Sequence, residues 1–312
     1  MSTIKIVVLA PDFEFTSEWR ESIIAVVPDI ELFREEDAEN STIDVALVYN
    51  PPLNKLSQYT NLKAIISLSA GVDGLLCDPS LPNVPVVRLV NTEISDMMRE
   101  YVVYYVLRLH RSFNKYEQQQ EKRIWKWLPH SISTKEINVT VLGMGKIGYQ
   151  CALSLKKLGF NVSGWCRTAK EIENIPSFTG FDGLNKLLKK THILVCALPL
   201  TDKTRGILSN ELFSALPKGS SIINIGRGGC LNENDLLIAL GNGQISNAVL
   251  DVFEIEPLPI SSPLWKHPSV TVTPHIAGDV SPLSTAKEIL NVVNSLRQSQ
   301  PLPNTINIEL GY

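Results

Sequence analysis

The stretch "TVLGMGKIG", residues 140–148, carries glycines at 143, 145 and 148 in the spacing G-x-G-x-x-G. An apolar run, "NVTVLG" (138–143), leads into it, and a helical pattern leaves it from about Ile147 to Gly159. A glycine-rich turn between a strand and a helix is what a dinucleotide's pyrophosphate requires. Gly143 permits the tight turn. Gly145 lets the backbone approach the pyrophosphate, and Gly148 lets helix and strand pack closely. The start of the helix offers N–H groups without intrahelical partners and the positive end of its dipole.

Outward from this turn the pattern repeats. Downstream, "NVSGWC" (161–166), "HILVCAL" (192–198), "SSIINIG" (220–226), "AVLDVF" (248–253) and "VTVTP" (270–274) read as strands, with helical segments such as "SNELFSAL" and "NENDLLIAL" between them. Upstream, "IKIVVLA" (4–10), "DVALVYN" (44–50), "LKAIISLSAG" (62–71) and "VPVVRLV" (84–90) read the same way. Each is short and rich in Val and Ile, as strands covered on both faces are. The alternation predicts an α/β fold with parallel sheets and helices on both sides. A length of 312 residues predicts two domains. One long helix is expected from Thr92 to Gln118, as a spine between them, and a last helix from Pro282 to Arg297 returns with the tail to the first domain. Between helix and glycine turn lies "EKRIWKWLPH" (121–130), with two tryptophans and a proline. It reads either as a surface loop packing its own aromatics or as an arm reaching across a dimer partner.

Composition narrows the function. Net charge is −3, so no basic excess points to nucleic acid or an anionic membrane. The five cysteines, Cys77, Cys151, Cys166, Cys196 and Cys230, form no C-x-x-C pair and fit reduced thiols in a cytoplasmic setting. The opening "MSTIKIVVLAPDF" lacks the length of a signal-peptide core, and no segment has the roughly 20 apolar residues of a membrane span. The histidines lack metal-ligand spacing. "SLSAG" (67–71) is not a nucleophile elbow. Its small residues suggest a loop whose N–H groups could meet a carboxylate.

The nucleotide is written at the end of the strand after the glycine turn. An NAD site carries Asp or Glu there, about 20 residues beyond the motif, on the ribose hydroxyls. This chain has Cys166, Arg167 and Thr168, with Lys170 nearby. A guanidinium with a hydroxyl beside it suits a 2′-phosphate, so NADP(H) is expected in preference to NAD(H). Three residues past strand ends can do chemistry. Arg227, in "INIGRGG", can bind a carboxylate in bidentate fashion and polarise a neighbouring carbonyl. His275, in "VTPHIAG", is a proton source near neutral pH. A carboxylate on its other ring nitrogen would raise its basicity. Spacing leaves Glu254 and Glu256, in "DVFEIEPLP", both open for that part.

In combination, "VLGMGKIG", "INIGRGG", "LDVFEIEPLP" and "TPHIAG", in this order, resemble the D-2-hydroxyacid dehydrogenase family, and "LSAGVD" (68–73) resembles its substrate loop. The likeness covers essentially the whole chain. "ALVYNPP", "GWCRT", "EPLPISSPLWKHP" and the ending "LGY" look like the bacterial branch acting on glyoxylate and hydroxypyruvate. Tyr49 departs from that branch, where a tryptophan is expected. The resemblance implies that Arg227 binds the 2-oxoacid, His275 donates the proton and Glu256 is its partner. Tyr49 and the backbone at Ala70, Gly71 and Val72 would contact substrate. Gly143, Met144, Gly145, Lys146, Ile147, Gly148, Trp165, Arg167, Thr168, Leu198, Pro199, Leu200, Ile225, Gly226, Asp251, His275 and Gly278 would line the cofactor. It implies a substrate-binding, flavodoxin-like domain from residues 1–98 and 281–312 and a dinucleotide-binding Rossmann domain from 99–280. A closing cleft and a homodimer come with it. The implied reaction is NADPH-dependent reduction of glyoxylate to glycolate and hydroxypyruvate to D-glycerate, with no metal. Reduction of a bulkier 2-oxoacid such as phenylpyruvate is an alternative, as is a non-catalytic, nucleotide-sensing corepressor.

Overall fold

The structure, a computed structural model, describes residues 3–11, 15–69, 71–89, 92–128, 132–168, 175–279 and 281–310. The chain divides into two compact units, Met1–Ile94 with Asp279–Tyr312, and Ser95–Gly278. Among the described residues the α-helices are α1 (Ser17–Val26), α2 (Asp73–Leu76), α3 (Thr92–His110), α4 (Phe113–Glu121), α5 (Lys146–Lys157), α6 (Gly180–Leu188), α7 (Asn210–Ala215), α8 (Glu233–Gly241) and α9 (Pro282–Arg297).

The first unit carries strands β1 (Ile4–Leu9), β2 (Ile30–Phe33), β3 (Val45–Val48), β4 (Ala64–Ser67) and β5 (Val86–Arg88). They pair in parallel in the order β2-β1-β3-β4-β5, the flavodoxin-like arrangement. Every residue of β3 and β4 is buried, which is why both read as unbroken apolar runs. The edge strand β2, "IELF", was not legible in the sequence. Only Leu32 of its four residues is buried, so it shows no apolar run. The helix α9 packs on α1, and the tail beyond it bonds to β5, with Ile306 N–H donating to Val86 O at 2.9 Å.

The second unit carries β6 (Asn138–Leu142), β7 (Asn161–Trp165), β8 (Ser177–Phe178), β9 (Ile193–Cys196), β10 (Ser220–Asn224), β11 (Ile245–Leu250) and β12 (Val270–Val272). All pair in parallel, in the order β12-β11-β10-β9-β6-β7-β8. The chain moves outward from β6 to β8, then crosses back to β9 and continues the other way. The strand order therefore reverses between β6 and β9, where open α/β sheets bind ligands at the carboxyl ends. Alternate residues of the central strands enter different cores. Leu194, Cys196, Ile222 and Leu250 pack with α6, α7 and α8. Val139, Val141, Val195, Ile223 and Val249 pack with α3 and α5. Burying one such aliphatic side chain stabilises the fold by about 1.5–3 kcal/mol, so a sheet covered on both faces holds its register firmly.

One expectation needs correction. The single helix from Thr92 to Gln118 is two helices, broken where Ser112 adopts φ 53° in the left-handed region. Across the break, the Arg108 guanidinium donates to both carboxylate oxygens of Glu117, an ion pair that the turn makes possible. Within the described part of the 121–130 segment, Trp125 is 103% exposed and Trp127 77% exposed. Residues 129–130 of that segment lie outside the described residues.

The glycine turn gives a test of this packing. A Cβ on Gly148 would sit 1.9 Å from Gly143 O, whereas one on Gly145 would meet nothing within 4 Å. Gly148→Ala is expected to lose about 1–3 kcal/mol of unfolding free energy through forced backbone movement. Gly145→Ala, an N-cap change, should lose less than about 1 kcal/mol. Urea denaturation of both variants compares them, and equal losses would contradict the close helix–strand contact.

Candidate active site

The site is built on loops at the carboxyl edge of the second sheet. After β6 the chain turns at Gly143, whose φ of +95° suits glycine and whose N–H donates to Trp165 O at 2.9 Å. A Cβ there would lie 2.6 Å from Ala197 O, so the turn is wedged against the end of β9 at the reversal point. Gly145 caps α5, and Lys146 and Ile147 form its first turn. Open space over Gly145 together with the helix-start amides fits a pyrophosphate. Met144 is buried with its side chain over Gly164, which leaves its backbone in the turn. Past β7, the Trp165 indole donates to Gly180 O at 2.9 Å and the Cys166 thiol to Thr168 O at 3.1 Å. Arg167 and Thr168 are exposed at this strand end, and Lys170 lies outside the described residues. Leu198 and Ile225 are buried, with Pro199 and Leu200 partly so, beyond β9 and β10.

Arg227 follows β10 in extended backbone, with its Nη1 donating to Gly226 O at 2.7 Å. The turn is held by Asn224, whose side chain donates to Arg227 O and accepts from Gly226 N–H, each at 3.1 Å. Asn224 is fully buried and went unnoticed in the sequence, although a polar residue inside "SSIINIG" is itself a signal. Gly228 brings the next residues against the neighbouring loop, because a Cβ there would lie 1.8 Å from Phe253 C.

Beyond β11, Asp251 is 1% exposed. Its Oδ1 accepts from Thr273 Oγ1 at 2.7 Å and from Ile276 N–H at 2.9 Å, and its Oδ2 accepts from Ala277 N–H at 2.9 Å. Its carbonyl accepts from His275 N–H at 2.9 Å. His275 stands at φ 56°, a conformation that costs a non-glycine residue about 1–2 kcal/mol and persists because these bonds surround it. Its Nδ1 meets Glu256 Oε2 at 2.7 Å, while Glu256 Oε1 accepts from Phe253 N–H at 2.8 Å. Nε2 makes no hydrogen bond among the described residues. Glu254, the other open choice, lies 3.4 Å from Arg205 instead. Burial pushes the Glu256 carboxyl up, but the His275 hydrogen bond, the Phe253 N–H and the charges of His275 and Arg227 together bring it below the usual carboxylate value.

The geometry therefore brings Glu256 and His275 into contact, on loops from the neighbouring strands β11 and β12, and sets Arg227 on the loop of the next strand, β10. Gly278, partly buried, ends this unit. Tyr49, Gly71 and Val72 belong to the first unit. Tyr49 N–H donates to Leu9 O, Gly71 N–H donates to Ser69 Oγ at 3.1 Å, and Val72 is buried just before α2. Ala70 lies outside the described residues. Among the described residues no helix is long and apolar enough to cross a membrane.

A glycine turn at the sheet's reversal point, with an arginine and a carboxylate-paired histidine along the same edge, defines a nucleotide-dependent oxidoreductase. Residues 103–277 match the pattern of the D-isomer specific 2-hydroxyacid dehydrogenase, NAD binding domain. The chain is 35% identical over 308 residues to glyoxylate/hydroxypyruvate reductase A of Escherichia fergusonii, covering 97% of this chain and 98% of that one. It is 36% identical over 316 residues to the protein of the same name from Yersinia enterocolitica, covering 99% and 100%. Among solved structures it is similar to a D-isomer specific 2-hydroxyacid dehydrogenase from Xanthobacter autotrophicus in complex with NADPH and MES. That match has a TM-score of 0.94 and 36% identity and covers 100% of both chains. It is also similar to the NADPH-dependent glyoxylate/hydroxypyruvate reductase of Sinorhizobium meliloti, solved with NADP and sulfate. There the TM-score is 0.93 with 32% identity, covering 99% of this chain and 100% of that one. This chain belongs to the D-isomer specific 2-hydroxyacid dehydrogenase family.

The lowered Glu256 pKa has a consequence for acid stability. A carboxyl whose folded pKa is depressed stabilises the fold above its unfolded value of 4.5, and that contribution is lost as pH falls through the lower folded value. Thermal unfolding followed from about pH 7 to about pH 3 should show a steeper acid-side fall in the parent than in Glu256→Gln. Parallel curves would show that the carboxylate contributes nothing through its ionisation.

Proposed function

We propose that the protein reduces small 2-oxoacids, glyoxylate to glycolate and hydroxypyruvate to D-glycerate, using NADPH. The observation that carries this reading is the 2.7 Å contact of His275 Nδ1 with Glu256. It leaves Nε2 to face a substrate oxygen. NADPH, held at the Gly143–Gly148 turn with its 2′-phosphate at Arg167 and Thr168, would supply the hydride. Arg227 binds the substrate carboxylate and polarises the carbonyl with the same guanidinium. His275, protonated, gives the Nε2 proton to the carbonyl oxygen, and the Glu256 carboxylate stabilises the imidazolium before that transfer. In this reading Tyr49 and the 70–72 loop contribute substrate contacts, and the first unit is the substrate-binding domain.

Arg167 and Thr168, exposed at the end of β7 where an NAD site would have a carboxylate, support NADPH over NADH. The relatives solved with NADPH or NADP support the same choice, and those named glyoxylate/hydroxypyruvate reductase support small substrates. A cytoplasmic homodimer completes the proposal. The exposed Trp125 and Trp127 of the 121–130 segment support the dimer, since single exposed apolar residues are ordinary but two neighbouring tryptophans are not, and the five free cysteines support the compartment.

Oxidation of NADPH over a panel of glyoxylate, hydroxypyruvate and phenylpyruvate, repeated with NADH, tests the substrate and cofactor together. The small 2-oxoacids and NADPH should give the higher kcat/KM. His275→Ala should lose about 10²–10⁴-fold in kcat while NADPH still binds. Near-normal turnover in that variant, or a preference for phenylpyruvate, would reject the corresponding part.

Sedimentation of the parent should give a dimer, and Trp125→Ala with Trp127→Ala should shift it toward monomer by removing large apolar anchors. A monomeric parent would reject the arm's role.

A further inference from the structure

The polar face of α3 carries a row of donors beside the segment that delivers the histidine. Tyr101 and Arg108 are two helical turns apart and so share a face. The Tyr101 hydroxyl lies 2.6 Å from Thr273 Oγ1, and Arg108 Nη1 donates to Thr271 Oγ1 at 3.2 Å. Thr271 and Thr273 alternate along an extended chain, so their side chains point the same way. Arg108 is itself fixed by Glu117, and the Tyr101 ring rests on that of Tyr105 with centroids 4.5 Å apart.

The direction of the Tyr101–Thr273 bond follows from its neighbour. A threonine hydroxyl has one hydrogen, and a carboxylate can only accept. Thr273 donates to Asp251 Oδ1 at 2.7 Å, so its remaining contact must receive a hydrogen, and Tyr101 supplies it. Burial, ahead of every other influence, pushes the Tyr101 phenol far above its ordinary value, so it remains a donor. A one-way chain results: Tyr101 O–H to Thr273 Oγ1, Thr273 O–H to Asp251, and Asp251 gripping the N–H groups of Ile276 and Ala277 immediately after His275.

We propose that Tyr101 is a positioning residue for proton donation: through Thr273 and Asp251 it holds the 275–277 turn that keeps His275 in its left-handed conformation and against Glu256. This rests on His275 being the proton donor, as proposed above. Tyr101 does not contact the imidazole, so its effect is on how often the ring is correctly placed. With the phenol hydrogen gone, the Thr273 hydroxyl loses the partner that orients it toward Asp251, and the clamp on the turn loosens.

The test uses the full-length protein and nearly isosteric changes: Tyr101→Phe, Thr273→Val, Thr273→Ser and the Tyr101→Phe/Thr273→Val pair. Steady-state kinetics are read with NADPH and the better small 2-oxoacid. Hydrogen exchange by mass spectrometry, without cofactor, is read on a peptide containing the Ile276 and Ala277 amides. Tyr101→Phe and Thr273→Val should each lower kcat about tenfold, while KM and the NADPH dissociation constant move less than about twofold. Exchange at the 276–277 amides should quicken by about tenfold in both. Thr273→Ser, which keeps the hydroxyl, should stay within about twofold of the parent. The pair should be no worse than Thr273→Val, because both changes cut one chain. A Tyr101→Phe protein with parent-like kcat and parent-like exchange overturns the proposal. So does a pair whose losses multiply, or a serine variant as impaired as the valine. If the parent turns over no 2-oxoacid, the reductase reading fails by itself, and amide exchange still decides whether Tyr101 holds the turn.

Discussion

A carboxylate removed from water must be met by donors, and Asp251 is almost wholly buried. It takes its donors from one short stretch: the Thr273 hydroxyl and the N–H groups of Ile276 and Ala277. That requirement ties the end of β11 to the segment beyond β12 and bends the chain so that His275 occupies a left-handed conformation. Glu256, five residues beyond Asp251 on the same loop, then meets the imidazole from the other side. The acid and its partner are thus two products of one knot of hydrogen bonds. Elsewhere on a surface, a lone Glu–His pair would contribute little.

Sheet order extends this arrangement to the rest of the edge. Because β10, β11 and β12 are neighbours, the loops bearing Arg227, Glu256 and His275 are neighbours too, although the residues lie far apart in the chain. The Asn224 side chain and the close approach at Gly228 hold the arginine loop. On the far side of β9 the glycine turn packs against Ala197, so the nucleotide motif and the polar residues share one edge at the strand reversal. A proton donor, a cation and a cradle of helix-start amides in that order along an edge suit hydride transfer to an oxoacid.

The helices show where one-dimensional reading is weaker. The apolar and aromatic residues from Thr92 onward keep helical spacing through Arg111 and Ser112, so the period alone carries one helix across the break. The break depends on the Ser112 backbone and on the return of Glu117 to Arg108, a contact nine positions apart that helical spacing does not predict. Tyr101 has no distinguishing mark within that helical pattern, and its hydroxyl gains meaning from Thr273, far along the chain. The edge strand β2 escaped notice for a different reason: a strand exposed along one side lacks the apolar run that marks its neighbours.

Strand periods, the glycine spacing and the absence of a carboxylate after β7 are local properties of the chain, and they were enough to read two parallel α/β sheets and a nucleotide turn. Arg227 and His275 stood out because each follows an apolar run at a predicted strand end. The choice of Glu256 over Glu254 was another matter, since spacing gives two carboxyls two positions apart equal claim and only the family resemblance preferred Glu256. It rests on loop direction: the backbone after β11 turns Glu256 toward Phe253 N–H and His275 and sends Glu254 to Arg205. Thr273 and Tyr101 were likewise decided in three dimensions, because a hydrogen bond depends on distance and direction between atoms, and residues 172 positions apart share neither until the sheet has formed.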